Sequence, residues 1–169
     1  DIAHGLARVA RWNGQTNGNH AFSVAQHSLL VEAVFSRLDQ EATPASKLAA
    51  LLHDAPEYVI GDMISPFKAV VGGGYKEVEK RLQSAINLRF SLPSATPAAL
   101  LKLIKQADTV AAYFEATRLA GFAESEAVKF FGRPRGFSAD MFDLAPLPAL
   151  KAQQEFLQRF QALDIGRQA

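Results

Sequence analysis

The apolar run Leu48-Ala49-Ala50-Leu51-Leu52 leads straight into His53-Asp54-Ala55-Pro56-Glu57, and no other stretch restricts the fold as strongly. A run of this kind belongs in a core, yet it delivers an imidazole and a carboxylate to the point where the core would continue. A carboxylate withdrawn from water persists only when it is paired or holds a metal, and a metal also accounts for the imidazole beside it. The alternative is a hydrogen-bonded core histidine. The choice depends on whether distant parts of the chain supply further ligands.

Helical periodicity governs the rest of the chain. Asp1 is placed as the N-cap of a short helix reaching Val9, with Ile2, Leu6 and Val9 on one face. Arg11 to Asn19 is rich in Asn and Gly and reads as a loop. Ser23 caps the next helix, with Gln26 three residues on as in a capping box, and Val24, His27, Val31, Val34 and Phe35 share a face, so His27 points inward. Asp39 to Thr43 is a polar connection, and Pro44 opens the helix that carries His53. Pro56 lacks a donor and crowds the carbonyl of Leu52, so that helix kinks or restarts just past Asp54. Glu57 then stands one turn beyond His53 on the same face.

Farther on, Gly61-Asp62 and Ser65-Pro66 are turn signals, and Gly72-Gly73-Gly74 is a flexible break. Tyr75 to Phe90 is helical with Val78, Leu82, Ala85 and Ile86 inward. Pro97 starts the longest helix, which runs to about Ala120 and stops at Gly121. On it Ile104, Ala107, Ala111 and Phe114 or Glu115 define a face, with Asp108 in its middle. Lys105 and Arg118 lie on other faces, which disfavours a simple ion pair for Asp108. Glu115 is two turns from Asp108 and reads as a helix-surface residue within reach of it. Phe130 to Phe137 reads as an ordered loop, and Pro148 opens a last helix with Leu150, Leu157, Phe160 and Leu163 inward. No strand-like alternation is long enough to assign. The expected fold class is all-α, one helical domain over 1–169.

Composition narrows the function. The chain is 49% hydrophobic and 21% charged, and no segment approaches the ~20 continuous apolar residues a bilayer span requires. Its 18 basic and 17 acidic residues give a net charge of +1, with no dense basic block of the kind that marks a nucleic-acid polymer as partner. With no cysteine, thiol catalysis, thiolate metal sites and disulfides are all excluded, which suits a cytoplasmic protein.

His27, His53, Asp54 and Asp108 are the anomalies, each on or beside an apolar helical face. Two imidazoles and two carboxylates fill most of an octahedral shell for Mn, Fe, Co, Ni or Zn, and the nitrogens favour these ions over Mg. His4 and His20 read as structural.

An isolated His, a His-Asp pair and a later Asp, all helical, resemble the HD-domain metal-dependent phosphohydrolase superfamily. Arg11-Trp12, Val24-Ala25-Gln26-His27-Ser28, His53-Asp54-Ala55-Pro56-Glu57 and Gly61-Asp62-Met63-Ile64-Ser65-Pro66 resemble its bacterial 5′-deoxynucleotidase-like branch, over roughly Asp1 to Gly121. The resemblance implies an HD-type helical bundle, metal ligation by His27, His53, Asp54 and Asp108, and Glu57 as the catalytic carboxylate near the attacking water. It implies that Arg11 holds phosphate and that Trp12 with Asp62 frames the sugar; Lys68 is a second candidate cation for the phosphate, and Ser65 is counted with the substrate site. Arg11 and Asp62 are counted with Glu57 among the catalytic residues. One metal is expected, because dinuclear relatives use extra histidines after the His-Asp pair and none follows His53 here. Homodimerisation is also implied, with the last helix as the contact.

Related deoxynucleotidases have Ser-Glu where Ala25-Gln26 stands and Thr where Ser65 stands, so the resemblance carries to the hydrolytic core and not to the sugar. The expected activity is release of phosphate from nucleoside 5′-monophosphates. The alternatives are hydrolysis of a cyclic dinucleotide, hyperphosphorylated guanosine or nucleoside triphosphate, and a non-hydrolytic nucleotide sensor.

Overall fold

The computed structural model describes residues 1–63, 70 and 73–167. Within them lie eight α-helices: α1 (Ile2–Leu6), α2 (Val24–Leu38), α3 (Pro44–Leu51), α4 (Glu57–Ile60), α5 (Gly73–Arg89), α6 (Ala98–Arg118), α7 (Glu124–Phe131) and α8 (Ala149–Ile165). The architecture is all-α, consistent with the HD-domain helical fold. Among the described residues the sole β pairing is an isolated antiparallel bridge between Ala10 and Ser23. Ser65 and Lys68 lie outside the described residues, as does Gly72. Gly73 and Gly74 are not a break, because they form the first turn of α5.

Local chemistry sets the helix ends. Ser23 accepts from the Gln26 backbone N–H at 3.3 Å, and Thr43 accepts from that of Ser46 at 3.2 Å, with Pro44 where its missing donor costs nothing. Gln26 does not complete a capping box. Its amide instead donates to the Ala145 carbonyl at 2.9 Å and accepts from the Leu147 N–H at 3.1 Å, tying the approach to α8 onto α2. The first helix stops at Leu6, short of Val9, and the backbone N–H groups of Arg11 and Val24 then bond the carbonyls of Phe22 and Val9 at 2.8 and 2.9 Å. This clasp holds the Arg11-Trp12 segment against the start of α2.

Two apolar clusters support the fold. One joins Leu6, Val24, Leu48, Leu51 and Leu52 to Phe156 and Leu163 of α8. The other joins Val31, Val34 and Phe35 of α2 to Ile104, Ala107, Ala111 and Phe114 of α6. Helices α2 and α3 feed both, so the middle of α2, where His27 sits, is fixed from two sides. Across one edge the buried Glu32 receives a forked pair from Arg159, Nε to Oε2 at 2.8 Å and Nη2 to Oε1 at 2.6 Å, which locks α8 to α2.

Several inward assignments are corrected. Leu150 is 61% exposed and Leu157 39%, because the face of α8 that packs on the Leu6, Leu48 and Leu51 cluster runs through Ala152, Phe156 and Leu163. On α5 Val78 and Ala85 face solvent, and only the Ile86 end of the helix reaches the core. The expected loop begins only at Gly132, because Phe130 and Phe131 end helix α7; its Ala127 and Val128 pack on the α2–α6 cluster and its Phe131 stacks edge-on to Trp12.

The packing of α1 on α4 depends on Gly5. A Cβ there would lie 2.8 Å from the Cβ of Tyr58 and 3.2 Å from its carbonyl oxygen, both too close to relieve by turning a side chain. Gly5→Ala should therefore destabilise the protein by about 1–3 kcal/mol despite the better helix propensity of alanine. Urea unfolding measures this, and an unchanged midpoint would show that α1 and α4 are not in contact.

Candidate functional site

The break between α3 and α4 builds one wall of the site. Helix α3 ends at Leu51, so His53 lies in a run of turns beyond it and not on the helix, and α4 restarts at Glu57 under the N-terminal side of Pro56. Pro56 offers no amide to the Leu52 carbonyl, which accepts from the Ala55 backbone N–H at 3.1 Å and the Gln83 amide of α5 at 3.2 Å. The His53 Nδ1 donates to the Ala50 carbonyl at 2.9 Å. A carbonyl can only accept, so Nδ1 carries a proton and Nε2 is the ring atom turned toward the site.

His27 approaches from α2 and is likewise anchored through Nδ1. Its Nδ1 donates to Glu115 Oε1 at 2.5 Å, and its Nε2 lies 3.4 Å from Asp54 Oδ2 and 3.3 Å from Asp108 Oδ1. The His53 Nε2 is 3.2 Å from the same Asp54 oxygen. Both Nε2 atoms are buried and neither makes a hydrogen bond of acceptable geometry. Ligand atoms of His27, His53 and Asp108 all fall within 4.8 Å of one another, and Asp54 closes the group through its contacts to both imidazoles. The donor set fits a divalent cation: two imidazole nitrogens with their far sides already anchored, and two carboxylates.

Electrostatics favour the same conclusion. Burial and the nearby Arg11 guanidinium oppose charge on His27, but Glu115, Asp108 and Asp54 outweigh them and hold the imidazole protonated well above its ordinary range. Burial likewise opposes ionisation of Asp54 and Asp108. His53 and His27 prevail at Asp54, and the nearby His27 leads at Asp108, so both carboxylates stay ionised far below the usual range. A cation binding here would take the place of the Nε2 proton of His27 and meet carboxylates that need no deprotonation.

Glu115 is the residue that reading by sequence underrated. Instead of lying on a helix surface it is fully buried, and besides His27 it accepts from Arg11 Nε at 3.2 Å and Trp12 Nε1 at 2.9 Å. Burial resists its charge, yet His27 and Arg11 keep it ionised. Its place seven residues after Asp108, on the same apolar face, was the available signal. Arg11 also donates from Nη1 to Asp62 Oδ2 at 3.0 Å. Burial works against the guanidinium, and Glu115, Asp62, Asp54 and Asp108 together keep it charged.

Trp12 and Asn13 occupy the left-handed backbone region, with φ of 55° and 52°, unusual for a residue as large as tryptophan. The indole is held there by Glu115 and by Phe122 and Phe131, at ring distances of 5.5 and 6.3 Å. Glu57 is only 2% exposed and lines a cleft of about 270 Å³ together with His53, Asp54 and Asp108. Lys105 does reach Asp108, at 2.6 Å one turn away, contrary to its expected face; its long stem swings back along α6, and at 75% exposure the pair adds little stability. Arg118 makes no such contact.

Residues 2–128 match the family described as 5′-deoxynucleotidase YfbR-like. The chain belongs to that family. Membership in this YfbR-like group implies a hydrolase, and the matched span contains every residue of the cluster while leaving α8 outside it. An uncharacterised protein of Rhodobacter capsulatus is 59% identical over 134 residues, which is 79% of this chain and 68% of the relative. No helix among the described residues is long and apolar enough to cross a membrane.

Removing the Glu115 carboxylate strands three buried donors. Glu115→Ala should cost about 3 kcal/mol or more, since each charged hydrogen bond lost contributes ~1.5–3 kcal/mol before relaxation. Trp12 is the one tryptophan in the chain, so its emission should shift in the same variant. Coincident wild-type melting and emission would contradict the arrangement.

Proposed function

We propose that this protein is a metal-dependent phosphomonoesterase that releases phosphate from nucleoside 5′-monophosphates. The observation that carries this reading is the pair of buried imidazole Nε2 atoms, both without a hydrogen bond, that share Asp54 and stand beside Asp108. His27, His53, Asp54 and Asp108 would hold one divalent ion, with Mn, Fe, Co, Ni or Zn preferred over Mg on the strength of the two nitrogens. When bound, such an ion neutralises charge on a phosphoryl oxygen and brings the pKa of water toward ~7.

The chain's own groups do the rest. Glu57, enclosed in the cleft beside Asp54 and Asp108, orients the attacking water and accepts its proton. The water oxygen bonds to phosphorus, the bond from phosphorus to the 5′ oxygen breaks, and the nucleoside leaves as the alcohol after taking up a proton. Arg11 supplies charge to the phosphate through Nη2, the end of its guanidinium not engaged by Glu115 or Asp62. Asp62 positions Arg11 with Oδ2 and keeps Oδ1 for the substrate. Trp12, braced by Phe122 and Phe131, forms the wall beside the sugar.

Family membership makes 5′-deoxynucleotides the first substrates to assay, and a panel that pairs each with its ribonucleotide in Mn²⁺, Co²⁺ and Mg²⁺ reads both sugar and metal preference. Dialysis against EDTA should stop phosphate release, and Mn²⁺ or Co²⁺ should restore it. Asp54→Asn should abolish turnover and weaken cation binding. Glu57→Gln should lower kcat by about 10²–10⁴-fold while leaving cation affinity nearly unchanged. Wild-type hydrolysis by the Asp54 variant would remove the basis for this assignment.

A further inference from the structure

Beside the catalytic cleft runs a larger groove of about 710 Å³, formed by one stripe of α6 and by the chain from Phe131 to Phe137. Its size is that of a small-molecule site. We propose that this groove is a second, non-catalytic binding site for a nucleoside polyphosphate.

The charge of the groove is the first argument. Lys102 and Lys105 enter from α6, one turn apart, and Arg133 and Arg135 face them from the loop, while no carboxylate lines the groove. In a chain whose net charge is only +1, this gathers four cations around one cavity. Among the described residues neither Lys102, Arg133 nor Arg135 has an ion-pair or hydrogen-bond partner of its own side chain, so their charge is uncompensated within the fold. Like charges held together around a concave surface attract a polyanion and raise its local concentration.

The lining of the groove is the second argument. Leu101, Val110, Phe131 and Phe137 contribute apolar and aromatic surface between the cations. Leu101 is 54% exposed although large and apolar, as expected of a wall that waits for a flat ligand. A ligand that satisfies both sets of groups has several phosphates and an aromatic body. A nucleoside monophosphate lacks the charge, and its single phosphate is the group consumed in the neighbouring cleft. Leu101 and Lys105 line both cavities, and Lys105 also contacts Asp108, so the two sites adjoin without coinciding.

Binding is testable apart from hydrolysis, in EDTA, by calorimetry on the whole chain with ATP, inorganic tripolyphosphate, adenosine and a short single-stranded oligonucleotide. ATP should bind more tightly than tripolyphosphate or adenosine. The double variant Arg133→Glu, Arg135→Glu should weaken ATP by about tenfold or more, the loss of at least one strong charged contact, with phosphate release from monophosphates unchanged. Lys102→Glu, on the opposite wall, should weaken ATP in the same way and serves if the double variant does not fold. Equal ATP affinity in wild type and variants overturns the proposal. Equal affinity for ATP and tripolyphosphate removes the nucleoside from it, and tighter binding of the oligonucleotide replaces the small ligand with a polymer.

Discussion

One carboxylate, that of Glu115, carries the arrangement. It sits where α6 passes beneath both α2 and the N-terminal loop, and it receives His27, Arg11 and Trp12 at once. A buried anion is costly alone, but three donors, two of them cationic, satisfy both of its oxygens. The consequence for chemistry lies on the far side of each donor. Anchoring the Nδ1 of His27 turns Nε2 toward Asp54 and Asp108, and anchoring Arg11 and Trp12 brings a guanidinium and an aromatic wall to the same place. The Trp12 backbone accepts a left-handed conformation because these contacts outweigh its strain.

The second constraint is the interruption of α3. Ending α3 at Leu51 folds the chain so that the Ala50 carbonyl accepts from both the backbone N–H and the Nδ1 of His53, and places Asp54 and Glu57 in consecutive turns around one cleft. Pro56 enforces the interruption, and the Leu52 carbonyl it cannot serve is shared by the Ala55 N–H and Gln83 of α5. Two imidazoles are thus aligned by the same device, an acceptor behind Nδ1, from unrelated backbone settings.

Much of this was legible in the residues. The apolar period located α2 and α6 and put His27 and Asp108 on inward faces, while Ser23, Pro44, Pro97 and Gly121 marked where helices begin or end. What periodicity cannot give is the partner of a polar group. Glu115 on an apolar stripe looks like the edge of a helix until Arg11 and Trp12, about a hundred residues away, are seen to meet it. Nor does periodicity show that Gln26 is diverted from its own helix cap to the segment before α8. Helix α7 was missed for a related reason. Its apolar period is strong, but the run lasts only two turns between loops and does not stand out until its contacts with Trp12 and α6 are seen.

The three donors that Glu115 receives all precede it by more than eighty residues, and the acceptor sits near the end of the helix that also bears Asp108. A growing polypeptide therefore holds every proposed ligand, and the Ala50 carbonyl that anchors His53, before it holds the carboxylate that anchors His27. That imidazole acquires its orienting partner only when the final turns of α6 have been synthesised and packed.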